Sequence, residues 1–364
     1  MSARQAHHTE TVIFLGAGAS AADGAPIQSE LLKGFFQSCR GTGPYGATRE
    51  MERELATYFS IMWGIDVDND DLAQARFPTF EEALGLLELA EDRGEFFRGF
   101  GGLNQQTTRG MELRSHLVSL IALYLEEKLR TGGNFHRALV QQLREAGKLE
   151  TTSFISLNYD ILIDNALVLL GSTGITYAVR FANKNQPNRP RAVPLLKMHG
   201  SLNWLFCPTC NALDHYDGEK VAAQLTDQPH RGVCDRCQEP RVPILIPPTF
   251  FKVMSNFYLQ QIWKRAEEEL RKARRIIFCG YSFPDADVHI KYLLKRAEVN
   301  RVGRPPAVFI VNEHEGKTAH QREMETDRYL RFFRDKTRVH WTGLSFEQFA
   351  ANPSAIEEHA HGQE

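Results

Sequence analysis

The chain has 364 residues, of which 42% are hydrophobic and 24% charged, and its formal net charge is -2. A chain of this length can bury one large core or two, and the nearly balanced charge gives no indication of a polyanionic or membrane partner. The apolar runs are all shorter than the roughly 18 residues of a membrane span, and the polar start does not resemble a secretion signal. We therefore expect a cytoplasmic protein.

The first predicted element is a buried strand that ends in a glycine turn. Val12–Leu15 form a continuous apolar run, which is typical of a strand covered on both faces. Gly16 and Gly18 follow, and without Cβ atoms they permit a sharp turn and a close approach to a ligand. A helix that begins near Ser20 would direct backbone N–H groups at an anion such as a pyrophosphate. The third glycine of the dinucleotide fingerprint is replaced by Ala21, and such turns also occur without a ligand.

A mainly helical stretch separates this turn from the next predicted strand. We assign 41–149 to a helical insertion because no convincing strand interrupts it. Within it, Thr79–Glu82 has the capping-box pattern that begins a helix, and Met111–Leu129 carries an apolar stripe at helical spacing. We expect this stripe to pack in the core, and a surplus that forms a homo-oligomer seam is the alternative.

Four further strands are predicted next, one of them short, and each is followed by glycine or a polar residue, as the first strand is followed by Gly16. The residues that follow these strands are Asn158, His199, Gly280 and Asn312. In an open parallel sheet the carboxyl ends of the strands face one crevice, where ligands bind. The sequence therefore predicts an α/β fold in which a parallel sheet gathers these five positions around a ligand. Residues 346–364 are predicted to form a polar C-terminal tail.

Two Cys-x-x-Cys pairs predict a structural zinc module over 205–241. Cys207 and Cys210 form the first pair, Cys234 and Cys237 form the second, and 23 residues lie between the pairs. Two thiolates from each pair complete a tetrahedral Zn²⁺ site and leave no open position for catalysis. The polar stretch between the pairs has little apolar surface, so metal binding would supply much of its folding free energy. Four unligated thiols are the alternative, which this spacing disfavours.

Taken in order, these motifs resemble those of the sirtuin family. Gly16–Ser20 resembles the sirtuin phosphate-binding turn, and Asn158–Asp160 resembles its asparagine-x-aspartate motif. His199-Gly200, with a zinc module directly after it, resembles the histidine-glycine pair. Gly280–Ser282 resembles the glycine-x-serine that contacts the nucleotide, and Asn312 resembles the asparagine that reaches the adenosine ribose.

The resemblance covers most of 9–345 outside the helical insertion, and it implies a Rossmann-like sheet that binds NAD. NAD would be a substrate, and zinc would be structural. The residues that the resemblance implies for NAD binding are Gly16, Ala17, Gly18, Ser20, Pro26, Gly280, Ser282 and Asn312. For Ser282, the alternative is a turn residue that stabilises its own loop.

One departure from the family pattern bears on the reaction. Protein-deacylating sirtuins continue the opening turn with glycine-isoleucine-proline-aspartate-phenylalanine-arginine, whereas this chain has Gly24-Ala-Pro-Ile-Gln28. The Asp-Phe-Arg segment, which helps to orient NAD for acyl-lysine chemistry, is absent. With the long helical insertion, this makes the chain more similar to bacterial sirtuin-like proteins that hydrolyse NAD, several of which act against phage.

The resemblance also implies catalytic roles for three residues. The bond from nicotinamide to ribose breaks through an oxocarbenium-like state, which the site must position and stabilise. We expect Asn158 to hold the ribose or the attacking water, and His199 to act as general base, since an imidazole pKa of about 6.5 suits that task. Asp160 would lie near the carboxamide or the developing positive charge. The alternatives are that Asn158 and Asp160 cap the following helix and that His199 is a turn residue.

Three hypotheses of different classes follow from the sequence. The first is an NAD hydrolase, held inactive until a trigger or a partner protein arrives. The second is an NAD-dependent protein deacylase or ADP-ribosyltransferase, and the third is a non-catalytic sensor of NAD or ADP-ribose. We expect an activating or inhibitory partner to bind the helical block, and we expect no nucleic-acid binding, because the charged helix Lys264–Arg275 mixes both signs.

Overall fold

The part of the chain that contains the predicted glycine turn folds around a parallel sheet. The computed structural model describes residues 7–38, 48–95, 97–99, 103–129, 132–170, 174–184, 191–218, 232–245, 256–285, 287–313 and 316–357. The chain separates into two units. Unit 1 comprises Met1–Ala25, Gly132–Ser201 and Val253–Glu364, and unit 2 comprises Pro26–Thr131 and Leu202–Lys252.

The sheet of unit 1 has seven strands. They are β1 (Thr11–Leu15), β2 (Thr152–Ser156), β3 (Ile175–Thr176), β4 (Val193–Lys197), β8 (Arg275–Cys279), β9 (Ala307–Val311) and β10 (Val339–Trp341). Their order is β10-β9-β8-β1-β2-β4-β3, and the paired strands run parallel. The central strands are buried, as expected for apolar runs covered on both faces. The predicted parallel sheet is confirmed.

The strand order reverses beside β1, and this reversal locates the ligand crevice. From β1 the chain extends the sheet in one direction through β2 and β4, and later in the other direction through β8 and β9. The last residue of β1, Leu15, is in register with Ser156 of β2 and with Cys279 of β8. The carboxyl ends of these three strands are therefore level, and ligands of open α/β sheets bind at such a reversal.

Seven α-helices are described in unit 1. They are α1 (Ala17–Ala22), α6 (Phe135–Glu145), α7 (Leu162–Leu170), α8 (Phe257–Lys272), α9 (Val288–Val299), α10 (Ala319–Phe332) and α11 (Phe346–Ala351). Helix α6 packs against α7 and α11, and α8 packs against α9. None of the helices described in either unit is long and apolar enough to cross a membrane.

Two predicted boundaries differ from the structure. The predicted insertion 41–149 included α6, but α6 belongs to unit 1 because His136, Leu139 and Leu143 face the interior there. The predicted tail began at residue 346, but α11 begins there. Ser345 caps α11, and its Phe349 is fully buried, so the polar average of the segment concealed an apolar face.

Unit 2 contains helices and a small sheet. The helices are α2 (Gln28–Ser38), α3 (Thr48–Trp63), α4 (Phe80–Arg93) and α5 (Leu103–Lys128). Helix α5 packs against the other three, so its apolar stripe is core as expected. The strands are β5 (Gly200–Phe206), which begins in unit 1, β6 (Leu213–His215) and β7 (Val242–Leu245), in the order β6-β5-β7.

Candidate functional site

The glycine turn packs directly on the loop that follows β8. The N–H of Gly16 donates to the Cys279 carbonyl over 2.9 Å, and the N–H of Gly18 donates to the Gly280 carbonyl over 2.8 Å. A Cβ atom on Gly16 would lie 2.6 Å from the Gly280 oxygen, and one on Gly18 would lie 2.8 Å from the Gly280 Cα. Glycine is therefore required here by contact between two backbones.

This packing changes the expected role of the turn. The sequence predicted backbone N–H groups aimed at an anion, but Gly18 donates to Gly280 and the N–H of Ala19 donates to the Gly16 carbonyl over 3.0 Å. Those two N–H groups are already used within the protein. Ala17, between the two glycines, is half-buried. The turn thus serves first to hold the ends of β1 and β8 together.

Asn158 lies at the carboxyl end of β2 and is bonded to the glycine turn. Its Nδ2 donates to the Gly16 carbonyl over 2.8 Å and to Ser20 Oγ over 2.7 Å. An amide nitrogen has two hydrogens, so both are used, and Oδ1 is the atom left for a ligand. Asn158 is only half-buried. Its carboxamide nitrogen is thus fixed, while the residue as a whole remains partly exposed.

Asp160 accepts hydrogen bonds from both Ser20 and the start of α7. Ser20 Oγ donates to Asp160 Oδ2 over 2.6 Å, and the N–H of Leu162 donates to Oδ1 over 3.0 Å. The side chain therefore caps the first turn of α7, as the alternative interpretation had it, and it also orients Ser20. Because Ser20 bonds Asn158 in turn, the three side chains form one chain of hydrogen bonds.

His199 follows β4 and lies beside the turn that carries Asn158. The N–H of Met198 donates to the Ser156 carbonyl over 3.0 Å, and Trp263 Nε1 donates to the Met198 carbonyl over 3.1 Å. These two bonds fix the backbone immediately before the histidine. His199 is 3% exposed, and its ring centroid lies 6.3 Å from that of Tyr159. The imidazole is thus held in a buried position next to the β2–α7 turn.

Asn312, at the end of β9, has a buried polar atom with no partner in the described structure. Its Nδ2 donates to the Tyr281 carbonyl over 2.8 Å and to Glu325 Oε1 over 3.0 Å, whereas Oδ1 is buried and accepts no hydrogen bond. Lys317 Nζ donates to the other oxygen of Glu325 over 2.6 Å. A buried acceptor without a donor is costly, so Asn312 Oδ1 is suited to a ligand hydroxyl.

The loop after β8 is held by buried tyrosines. Tyr281 donates to Asp287 Oδ2 over 2.7 Å, and Tyr329 donates to the Tyr281 carbonyl. Burial, together with the Asp287 carboxylate, raises the pKa of Tyr281 well above its ordinary value, so its phenol remains a donor. Phe283 is fully buried with a φ of 53°, a strained conformation for an aromatic residue. Ser282 between them is exposed.

A model of the SIR2-like domain matches residues 152–333. The chain belongs to the SIR2-like family. The match begins at β2 and ends just after α10, so it contains the strand ends that carry Asn158, His199 and Asn312. No curated protein matches this SIR2-like chain in sequence.

Several solved structures are similar to the SIR2-like chain. One is a Sir2 homologue in complex with NAD, with 15% identity, coverage of 98% of this chain and 91% of that chain, and a TM-score of 0.46. A second is a Sir2 enzyme, with 16% identity, coverage of 98% and 94%, and a TM-score of 0.40. A third is a serine-to-alanine mutant of a Sir2 homologue with ADP-ribose, with 16% identity, coverage of 98% and 93%, and a TM-score of 0.38.

The four paired cysteines of the SIR2-like chain form a cluster in unit 2. The sulfur atoms of Cys207, Cys210, Cys234 and Cys237 lie within 4.8 Å of one another. Hydrogen bonds, chiefly from the backbone N–H of Cys210, lower the pKa of Cys207 to about 7, whereas burial and hydrogen bonds with the neighbouring thiols raise the pKa values of Cys210 and Cys237. Four clustered sulfur donors suit Zn²⁺ in a closed, structural site. The spacing thus predicted a cluster that the structure contains.

The structure brings most of the predicted residues of the SIR2-like chain together in unit 1. Gly16–Ser20, Asn158–Asp160, His199, Gly280–Ser282 and Asn312 follow strands of one sheet. Pro26 belongs to unit 2. Sequence reasoning did not identify Lys197, Trp263 or Glu325 as part of this region. For Lys197, a signal was present in the sequence: a lysine stands at the end of an apolar strand, two residues before His199.

Proposed function

We propose that this protein hydrolyses NAD at the bond between nicotinamide and ribose. The observation that carries the proposal is the fixed carboxamide of Asn158, whose two hydrogens are held by Gly16 and Ser20 while Oδ1 remains for a ligand. An acceptor held at a strand end, beside a buried histidine, suits the orientation of a water molecule or a ribose hydroxyl at a reacting carbon.

The reaction would proceed by departure of nicotinamide and addition of water. The electron pair of the N–C1′ bond leaves with nicotinamide, and positive charge develops on the ribose. Water adds to C1′, and its proton passes to His199 and then to solvent, which yields ADP-ribose. Asn158 Oδ1 accepts a hydrogen bond from the water or from a ribose hydroxyl. Asp160 keeps Ser20 and Asn158 in place, and its negative charge favours the cationic state.

The other end of NAD would lie along β8 and β9. There the buried Oδ1 of Asn312 would accept a hydrogen bond from a hydroxyl of the adenosine ribose, and the exposed Ser282 would contact the nucleotide. The backbones of Gly16 and Gly280 leave no room for side chains at this point. The nucleotide would therefore lie over the joined ends of β1 and β8, where ligands of open α/β sheets bind.

Hydrolysis is favoured over protein deacylation by the segment after the glycine turn. The carboxylate of Asp23 caps the N-terminus of α6, because it accepts hydrogen bonds from the N–H groups of Phe135 and His136. The next residues are Gly24-Ala-Pro-Ile-Gln28, without the Asp-Phe-Arg of deacylases. An activity that consumes NAD without an acyl substrate suits a defence in which an infected cell is deprived of NAD, and we propose anti-phage defence as the role.

The test is nicotinamide release from NAD by the purified protein, with and without an acetyl-lysine peptide. We expect release without peptide, reduced roughly 10²–10⁴-fold in His199→Ala because a positioned base contributes that much, and strongly reduced in Asn158→Ala. His320→Ala, at an exposed histidine of α10, is the matched control and should retain activity. In infected cells, loss of NAD should likewise require His199.

Three results would contradict parts of the proposal. Release that depends on the peptide would assign the protein to the deacylases. Absence of release under both conditions, with NAD still bound, would assign it to the sensors. Equal activity of His199→Ala and the wild type would remove the histidine from the mechanism.

A further inference from the structure

A lysine is buried at the carboxyl end of β4, two residues before His199. Lys197 is 0% exposed, which is rare for a lysine unless its charge is paired. Its Nζ lies 3.4 Å from Asp164 Oδ2, and Asp164 is itself buried in the first turn of α7. Tyr177 donates to the other Asp164 oxygen over 2.8 Å. The charge is thus balanced within a closed cluster.

The same ammonium group reaches the turn that carries Asn158 and Asp160. Lys197 Nζ donates a hydrogen bond to the backbone carbonyl of Asp160. That carbonyl belongs to the segment between β2 and α7, whose side chains bond to Ser20 and Gly16. Lys197 therefore links β4, the strand that precedes His199, to the turn that carries Asn158.

Fold stability alone does not explain this cluster. Replacing a buried ion pair with apolar residues of similar volume is often neutral or stabilising. A charged pair does, however, fix geometry, because a partner that moves leaves a buried charge unpaired. The pair lies at the carboxyl ends of the strands, where the proposed reaction occurs. In addition to its contact with Asp164, Lys197 donates a hydrogen bond to the β2–α7 turn.

We propose that Lys197 is a positioning residue that sets the β2–α7 turn, and with it Asn158 and Asp160, relative to His199. The inference rests on the proposed function for its kinetic consequence, but its structural part is independent of that function. Lys197 does not touch the substrate. It acts through the Asp160 carbonyl, and Asp164 keeps its ammonium in place.

The experiment compares Lys197→Met/Asp164→Asn with the wild type. The double variant removes the donor to Asp160 and the opposing charge together, so no unpaired charge remains buried, and the amide oxygen introduced at position 164 can still accept from Tyr177. Small misplacements of reacting groups cost up to about 10²-fold in rate. We therefore expect kcat for nicotinamide release to fall about 10- to 100-fold, with KM within about threefold of the wild type.

Tyr177→Phe is the matched control. It removes a hydrogen bond from Asp164 but leaves the contact of Lys197 with the Asp160 carbonyl, so Tm should fall while kcat stays within about threefold. Amide hydrogen exchange, followed by mass spectrometry over 156–163, provides the readout that does not depend on catalysis. Exchange there should be faster in the double variant and close to the wild type in Tyr177→Phe.

The outcomes separate the two proposals. A folded double variant with unchanged kcat and unchanged exchange over 156–163 would overturn the role of Lys197. A wild type that releases no nicotinamide would contradict the proposed function, and the exchange measurement would then decide the positioning role alone. If the methionine variant does not fold, Lys197→Gln/Asp164→Asn replaces it. Its shorter side chain withdraws the donor from Asp160, and the same losses are expected.

Discussion

Gly280→Ala should destabilise unit 1 by forcing apart the loops that follow β1 and β8. Gly280 has a φ of +60°, and a Cβ atom there would lie 2.0 Å from the Ala19 nitrogen and 2.4 Å from the Gly18 carbonyl carbon. The atoms that would clash are backbone atoms, which cannot rotate away. The methyl group would therefore separate the ends of β1 and β8.

The size of the effect follows from two terms. A left-handed backbone conformation costs alanine about 1–2 kcal/mol, and overpacking adds about 1–3 kcal/mol. The sum, about 2–5 kcal/mol, is a large part of the roughly 5–15 kcal/mol that stabilises a typical protein. We expect a lower denaturation midpoint in urea, together with weaker NAD binding, because the displaced backbone borders the crevice.

Gly147→Ala separates the two terms. Gly147 follows α6 in the same unit with a φ of +65°, and a Cβ atom there would meet nothing within 4 Å. This variant should therefore show the conformational cost of about 1–2 kcal/mol alone. If Gly280→Ala were no more destabilised than Gly147→Ala, contact between the two loops would not be the reason for the glycine, and the packing argument would be refuted.

Two further predictions concern the zinc module and the buried carboxylate that follows α1. Chelation of zinc, or Cys207→Ser, should lower Tm and unfold the module around the cysteines, because a closed thiolate site supplies folding free energy. Circular dichroism and metal analysis would show both effects. A chelated protein with an unchanged Tm would contradict this prediction. Burial alone would raise the pKa of Asp23, but hydrogen bonds from His136 lower it below its ordinary value. Its stabilisation should therefore be present above the unfolded pKa of about 3.9 and lost as the pH falls below that value. Asp23→Asn should make the free energy of unfolding depend less on pH in this acidic range. If urea titrations show the same pH dependence in the variant and the wild type, the prediction is wrong.

The sequence predicted the elements that follow from apolar periodicity and the polar residues that end them. The ends of β1, β2, β4, β8 and β9 carry the expected residues, since strand length and burial on both faces are local properties of the chain. Sequence patterning could not show which atoms of those residues are already bonded. That Gly18 donates its N–H to Gly280, and that Asn158 donates both hydrogens, follows only from the proximity of loops that are distant along the chain.

The same limit applies to the predicted bounds of the helical insertion and of the C-terminal tail. Helix α6 was assigned to the insertion because it follows a helical stretch, yet Asp23, more than a hundred residues earlier, caps it. The polar composition of 346–364 predicts a tail, yet Phe346 of α11 packs against His136 of α6, with 4.9 Å between the rings. In both cases a long-range contact decides the structure, and composition averaged over the segment carries no trace of it.

Three of the strand ends are joined by the side chains themselves. Asn158 binds the Gly16 carbonyl, Lys197 binds the Asp160 carbonyl, and both residues lie within a few positions of a strand end. A displacement of any one strand would break a bond to a buried polar group, which costs more than the bond contributes when formed. The proposed catalytic geometry is therefore maintained by the penalty for leaving buried groups unpaired. By this reasoning, Lys197→Met alone, which leaves Asp164 buried and uncompensated, should be less stable than Lys197→Met/Asp164→Asn.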